Sequence, residues 1–155
     1  KYLKILFLFF ILCLISNCGY QPLLTESYQN FSVNNFNISG DRKLGQSLTN
    51  QFNKIKGADN NLTFNISASK KRGISNKSSA GVVLEYNINI NFNLDVISES
   101  NGEKLLEMSF SEGSNYKASD SYIDTLNREK KIVDNLIKSI ASQINSKLNI
   151  IFKEK

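Results

Sequence analysis

The chain has 155 residues, of which 41% are hydrophobic and 21% charged, with a formal net charge of +5. This length has room for one domain, and the composition is that of a folded globular protein. Histidine is absent and both cysteines, Cys13 and Cys18, lie near the amino terminus, which excludes disulfides, cysteine or histidine metal sites and imidazole-based catalysis from the rest of the chain.

Catalysis would therefore have to depend on carboxylates, Lys, Tyr or Ser. The sequence shows no nucleophile with a matching base and no phosphate-binding glycine loop. We expect neither an enzyme nor a bound cofactor or metal.

The amino-terminal segment has the features of an export signal. Lys1 and Lys4 precede an uninterrupted apolar run of 11 residues, Ile5 to Ile15. As a helix this run would extend roughly 16 Å, about half of the ~30 Å hydrocarbon core of a bilayer. A positive start followed by so short an apolar run predicts a signal peptide and not a permanent membrane span.

The next residues point to lipidation. Residues 14–18, with the sequence LISNC, resemble the lipobox, where a peptidase cuts before a cysteine that has received a diacylglyceryl group. Asn17 departs from that pattern, which favours Gly, Ala or Ser. Cys18 is the predicted lipidation site. Acyl chains such as palmitate on this residue would anchor the protein in the membrane, because each buried methylene contributes about 0.8 kcal/mol. The alternative is an ordinary secretory leader with an incidental cysteine, although no small-x-small cleavage site lies nearby.

These features divide the chain into three parts. We expect a signal peptide over residues 1–17, a lipidated amino terminus and linker over 18–30, and a single domain over 31–155. In lipoproteins of the enteric type, which this segment resembles, a residue other than aspartate after the lipidated cysteine permits export to the outer membrane. Gly19 is such a residue. The domain would then face the periplasm of a Gram-negative bacterium.

The charge distribution argues against a nucleic-acid partner. Lys1 and Lys4 supply two of the five net positive charges, and the longest positive run elsewhere is Lys70-Lys71-Arg72. A nucleic-acid-binding face would concentrate many more basic residues.

Hydrophobic periodicity predicts strand, helix and strand in the first half of the domain. Residues 31–38 alternate with a phase slip between Asn34 and Asn35, which is typical of a strand with a bulge. Asp41 suits the N-cap of a helix. The apolar stripe and the stop signals of that helix are Leu44, Leu48, Phe52 and Ile55, then Lys54, Lys56 and Gly57. Residues 62–68 alternate again and run into Lys70, and residues 75–80 form a predicted polar loop.

The clearest pattern follows that loop. Every second residue from Val82 to Val96 is apolar and the residues between them are mostly Asn, which predicts a strand with one packed face and one wet face. A three-residue loop of Ser100, Asn101 and Gly102 would keep the apolar residues of the next strand on the packed face. It would pair Val96 with Leu106, Leu94 with Met108, Phe92 with Phe110 and Tyr86 with Tyr116.

A long helix ends the chain. Ser121 to Asp124 resembles a capping box. The apolar stripe over about 30 residues comprises Leu126, Val133, Ile137, Ile140, Ile144, Leu148 and Ile151. The predicted fold is α+β, a two-layer sandwich of a four-stranded, mostly antiparallel sheet with two helices on one face, in the order β-α-β-β-β-α.

Three features together resemble the outer-membrane lipopolysaccharide-assembly lipoproteins, the LptE family. They are the sequence CGYQPL at residues 18–23, the order of elements, and SNYKAS at residues 114–119 leading into a long terminal helix that ends near LNIIF at residues 148–152. The resemblance implies a non-catalytic subunit of lipopolysaccharide transport. Such a subunit plugs the LptD β-barrel, supports its assembly and assists insertion of lipopolysaccharide into the outer leaflet. It implies a hetero-complex rather than a homo-oligomer.

The basic run and the function each allow an alternative interpretation. Lipopolysaccharide is anionic, so Lys70, Lys71 and Arg72 are the candidate contacts, although a basic strand end also discourages edge-to-edge pairing. The alternative function is another periplasm-facing lipoprotein that acts as a scaffold or lipid carrier without a barrel partner.

Overall fold

The computed structural model describes residues 31–52 and 60–153. The predicted signal peptide, Cys18 and the linker therefore lie outside the described residues. The elements in chain order are β1 (Phe31–Gly40), α1 (Arg42–Thr49), β2 (Asn60–Lys77), β3 (Val83–Ser98), β4 (Lys104–Lys117) and α2 (Tyr122–Lys153).

The four strands form one mixed sheet in the order β1-β2-β3-β4. β1 pairs with β2 in parallel, and the other two pairings are antiparallel. A parallel pair needs a crossover connection, and α1 lies in the one between β1 and β2. The prediction of an α+β fold with a mostly antiparallel sheet is confirmed.

The predicted bulge in β1 is present. The register against β2 shifts between Val33 and Asn35, so one extra residue resets the alternation. Phe31 and Val33 before the shift are buried, and Phe36 after it packs against the same core. The bulge thus keeps both halves of the strand facing inward.

Helix α1 begins as predicted and ends early. The Oδ1 atom of Asp41 accepts a hydrogen bond from the Leu44 N–H at 3.0 Å, the geometry of an N-cap. The helix stops at Thr49, not near Ile55 as the apolar stripe suggested. Phe52 is nevertheless buried, in the turn after the helix. The predicted stop signals at residues 54–57 lie outside the described residues.

Strand β2 is longer than predicted. It continues through the basic run to Lys77, so the expectation of a polar loop from Ser75 is wrong for its first three residues. Pairing explains the difference, since β3 offers partners up to Val83 opposite Lys77. The ribbon of β2, β3 and β4 therefore extends well beyond the end of β1.

The predicted β3–β4 register is confirmed. Val96 lies opposite Leu106 and Tyr86 opposite Tyr116. Gly102 has φ +69°, the left-handed conformation expected for a glycine ending this loop. The loop itself is wider than three residues, because a register shift after Val96 places Ile97 opposite Lys104.

Both helices cover the same face of the sheet. Leu44 and Leu48 of α1 and Ile140 and Ile144 of α2 share one core with the inward side chains of all four strands. The opposite face is polar, as the alternation of β3 predicted. This confirms the two-layer arrangement.

Candidate functional site

The predicted contact residues lie on a part of β2 that β1 does not reach. The last pairing of β1 is Gly40 with Ala68, and the chain then turns into α1. Lys70, Lys71 and Arg72 follow immediately, where β2 is paired only with β3.

The three basic residues do not share a face. Side chains alternate along a strand, so Lys70 and Arg72 lie on the helix-covered face with Ala68. Lys71 lies on the opposite face, where it is exposed. Their predicted role in contacting lipopolysaccharide stays a prediction, and Lys71 is the member whose charge is directed to the open polar face.

Lys70 and Arg72 converge on a carboxylate of α2. Glu129 lies 3.4 Å from Lys70 Nζ and 3.2 Å from Arg72 Nε, and its side chain is only 11% exposed. A nearly buried carboxylate requires such partners, because an unpaired charge at this depth would be strongly destabilising.

Two tyrosines complete this cluster. The Tyr116 hydroxyl donates a hydrogen bond of 2.6 Å to Glu129, and its ring stacks on Tyr86 with centroids 5.6 Å apart. The Arg72 guanidinium lies 3.9 Å from the centre of the Tyr86 ring, within range of a cation–π interaction. Burial, together with the bond to Glu129 and its charge, raises the pKa of Tyr116 to about 12.

This group, hereafter the Glu129 cluster, joins β2, β3, β4 and α2 where the ribbon passes the end of β1. The hydrogen bonds and ion pairs fix the positions of these side chains, which suits a structural junction. Lys70, Arg72 and the Tyr86–Tyr116 pair were predicted from the sequence, whereas Glu129 was not. A signal was available, because Glu129 falls between Leu126 and Val133 on the apolar stripe of α2.

The open face of the sheet has a different chemistry. A shallow groove of about 580 Å³ crosses it, lined mainly by short amide and hydroxyl side chains together with Asp95 and Glu107. Within it, the Asn37 side chain donates to Asn65 at 2.8 Å, and Ser109 donates to Asn93 at 2.8 Å.

A second, smaller cavity of about 310 Å³ lies on the helix-covered side. It lies between the start of α1 and the first turns of α2, beside Lys70. Leu44, Leu126 and Val133 give it an apolar part. We call it the interhelix groove.

The described part of the chain, residues 31–52 and 60–153, contains no group of three or more potential metal ligands. None of its helices combines the length and the apolarity needed to cross a bilayer.

The architecture of two helices on one face of a four-stranded mixed sheet is shared with solved structures of bacterial lipoproteins. The rare lipoprotein B of Shewanella oneidensis superposes with a TM-score of 0.55 at 13% identity, over 78% of this chain and 98% of that one. A minor lipoprotein of Acinetobacter baumannii gives 0.53 at 12% identity, over 79% of this chain and 92% of that one. Lipoprotein B of Nitrosomonas europaea gives 0.52 at 12% identity, over 82% and 88%.

At such low identity the likeness establishes the fold and no more. No protein-family profile and no curated protein matches the sequence.

Proposed function

We propose that this chain is an outer-membrane lipoprotein that serves as a non-catalytic subunit of lipopolysaccharide transport. Lipidated at Cys18 and facing the periplasm, it acts with an LptD-like β-barrel as the plug that supports barrel assembly. It assists insertion of lipopolysaccharide into the outer leaflet.

One combination carries the proposal. A short leader ends in a lipobox-like cysteine, and the domain beyond it adopts a fold found in three lipoproteins of similar size. The polar open face supports the plug role, since a wall made mainly of amides and hydroxyls, with a few charged side chains, suits a water-filled lumen. The Glu129 cluster contributes rigidity and no chemistry of its own.

Lipidation is tested by mass spectrometry of the mature amino terminus from membranes of a Gram-negative host. The expected product begins at Cys18 and carries acyl chains. A Cys18→Ser variant should remain uncleaved or leave the membrane fraction. A mature form with an unmodified Cys18 would contradict the anchor.

The barrel partnership is tested by affinity purification of the lipidated chain in mild detergent. A large outer-membrane β-barrel should co-purify in stoichiometric amount. Recovery of the lipoprotein alone would favour a scaffold or lipid carrier without a barrel partner.

Contact with lipopolysaccharide is tested at Lys71, because reversing Lys70 or Arg72 would also disturb the Glu129 cluster. Lys71→Glu should weaken binding of purified lipopolysaccharide about two- to fivefold, the range of one exposed charge contact. Lys117→Glu, an equal charge change on β4, is the matched control. Equal affinities for both variants would remove Lys71 from the contact surface.

A further inference from the structure

The end of β1 leaves part of β2 with an unpaired edge. Ser39 Oγ donates to the Ile66 carbonyl, and the Asp41 N–H donates to the Ala68 carbonyl. Backbone groups alternate in direction along a strand, so Lys70, Arg72 and Ile74 direct their N–H and C=O groups to the same side. No described strand lies there.

The interhelix groove lies directly beside this edge. Lys70 contributes to its lining, together with Leu44 of α1 and Leu126 and Val133 of α2. Leu126 is 38% exposed, although it lies on the apolar stripe of its helix. An extended segment that paired with the edge would therefore direct every second side chain towards this groove, whose apolar part is formed by Leu44, Leu126 and Val133 within a charged rim.

The charges beside the edge indicate which kind of extended segment could pair with it. Lys71 presents its charge on the open face next to the unpaired backbone, and no ion pair involves it within the described chain. A second copy of β2 in antiparallel register would bring Lys70, Lys71 and Arg72 against their own like charges, which is unfavourable. Acidic side chains opposite Lys71 would be favourable.

From this geometry we propose that β2 accepts an additional strand, between Lys70 and Ile74, from an extended segment of a protein partner. The segment has apolar side chains facing the interhelix groove and acidic side chains facing Lys71. Main-chain hydrogen bonds provide the binding and the groove provides selectivity, the usual division in strand addition. The proposal is independent of lipidation and of the barrel partnership.

The test uses the full chain in mild detergent and a synthetic peptide about seven residues long, alternating valine and glutamate and blocked at both ends. At saturation the amide protons of Lys70, Arg72 and Ile74 should exchange at least about fivefold more slowly, the factor equivalent to roughly 1 kcal/mol per hydrogen bond. Exchange is followed by NMR. Unchanged exchange at all three amides would overturn the proposal.

Two control peptides separate strand addition from nonspecific attraction. Methylation of the valine backbone nitrogens removes the donors and should abolish protection. Replacement of glutamate by lysine should weaken it. Equal protection by the methylated peptide would contradict a main-chain pairing.

The protein variants have matched controls. Ile74→Pro removes an edge donor and leaves the β2–β3 pairing intact, since a proline is tolerated on an edge strand. Ser111→Pro places the same defect on the free edge of β4, because alternation through β3 directs the Ser111 N–H outward. The first variant should lose the peptide and the second should retain it.

A variant in the groove tests the proposal without altering the edge of β2. Leu126→Glu places a carboxylate in the interhelix groove and should reduce peptide affinity. Ile150→Glu, at a 60% exposed position of the same helix, should not. Equal loss in both would remove the groove from the proposal.

Two other occupants give distinct results. Protection of the edge without peptide, rising with protein concentration together with a doubled mass, would identify a second copy. Protection without peptide that disappears when residues 21–29 are deleted would identify the chain's own linker. Either result would overturn the proposal of a partner segment.

Discussion

At the scale of single residues, the basic run shows how neighbours in sequence acquire different tasks. Lys70 and Arg72 neutralise Glu129 on the covered face, whereas Lys71 remains exposed on the other. Alternation along a strand could be read from the sequence. The partner could not, because Glu129 lies 57 residues beyond Arg72 along the chain and only the packing of α2 brings them together.

Replacing Glu129 by Gln should destabilise the fold by about 2 kcal/mol. Two cations lose their partner, and the loss stays moderate because both are about one third exposed. Urea unfolding followed by circular dichroism measures the free energy of unfolding. Glu107→Gln removes a carboxylate whose ion pair with Lys104 is exposed and should change stability by less than about 0.5 kcal/mol. Equal effects would contradict a structural role for the Glu129 cluster.

Tyr116 should ionise near pH 12, against 10.0 for an ordinary tyrosine. A pKa that is higher in the folded than in the unfolded chain stabilises the fold fully below pH 10. That contribution is lost as the pH rises towards 12. Ultraviolet titration of tyrosinate in the intact protein and in Tyr116→Phe gives the curve of this residue by difference. A midpoint near 10 would contradict the burial of this hydroxyl beside Glu129.

At the scale of elements, patterning predicts type and register better than length. The bulge in β1, the Asp41 cap and the β3–β4 register follow from local alternation, and all are present. Helix α1 stops early despite its apolar stripe, and β2 continues through polar residues because β3 provides pairing partners. Where an element ends depends on its neighbours in space, which a single sequence does not reveal.

Gly45 illustrates this dependence inside a helix. Alanine there would gain about 1 kcal/mol in helix propensity, but its Cβ would overlap with Cγ2 of Ile38 on β1. Overpacking of this kind costs about 1–3 kcal/mol. Gly45→Ala should therefore lower stability by about 1 kcal/mol in chemical denaturation.

The controls for this prediction separate packing from propensity. The exposed substitution Gln46→Ala should be neutral or slightly stabilising. Adding Ile38→Ala to Gly45→Ala should remove the overlap, so that the two changes couple. A stabilised Gly45→Ala protein would contradict the close approach of α1 to β1.

For the molecule as a whole, the fold class could be predicted from the sequence because the patterns of the strands and of the helices indicate the same arrangement. The alternating apolar positions of β3 from Ile88 to Val96 require a layer of apolar side chains above them, and the stripe of α2 provides it. The candidate site was less predictable from the sequence than the fold class. Motifs suggested the anchor at Cys18. The unpaired edge of β2, in contrast, arises because β1 pairs with β2 only as far as Ala68 whereas β3 pairs with it as far as Lys77, a relation between strands that no local motif reveals.

The two-layer arrangement predicts that substitutions at different positions of α2 differ sharply in their effect on stability. Ile144 is fully buried against the sheet, and its replacement by Ala should cost about 2–5 kcal/mol. Ile150 lies on the same helix and is 60% exposed, so the same substitution there should cost less than about 0.5 kcal/mol. Thermal unfolding of both variants measures the difference. Comparable losses would mean that α2 contacts the sheet along a different face.

The parallel pairing of β1 with β2 has a mechanical consequence. Tension applied at Phe31 along the axis of β1 would load its pairing with β2 lengthwise. Nine paired positions then resist together in shear rather than opening one after another. Under tension in that direction, the β1–β2 pairing would have to break as a unit before the first strand could leave the sheet.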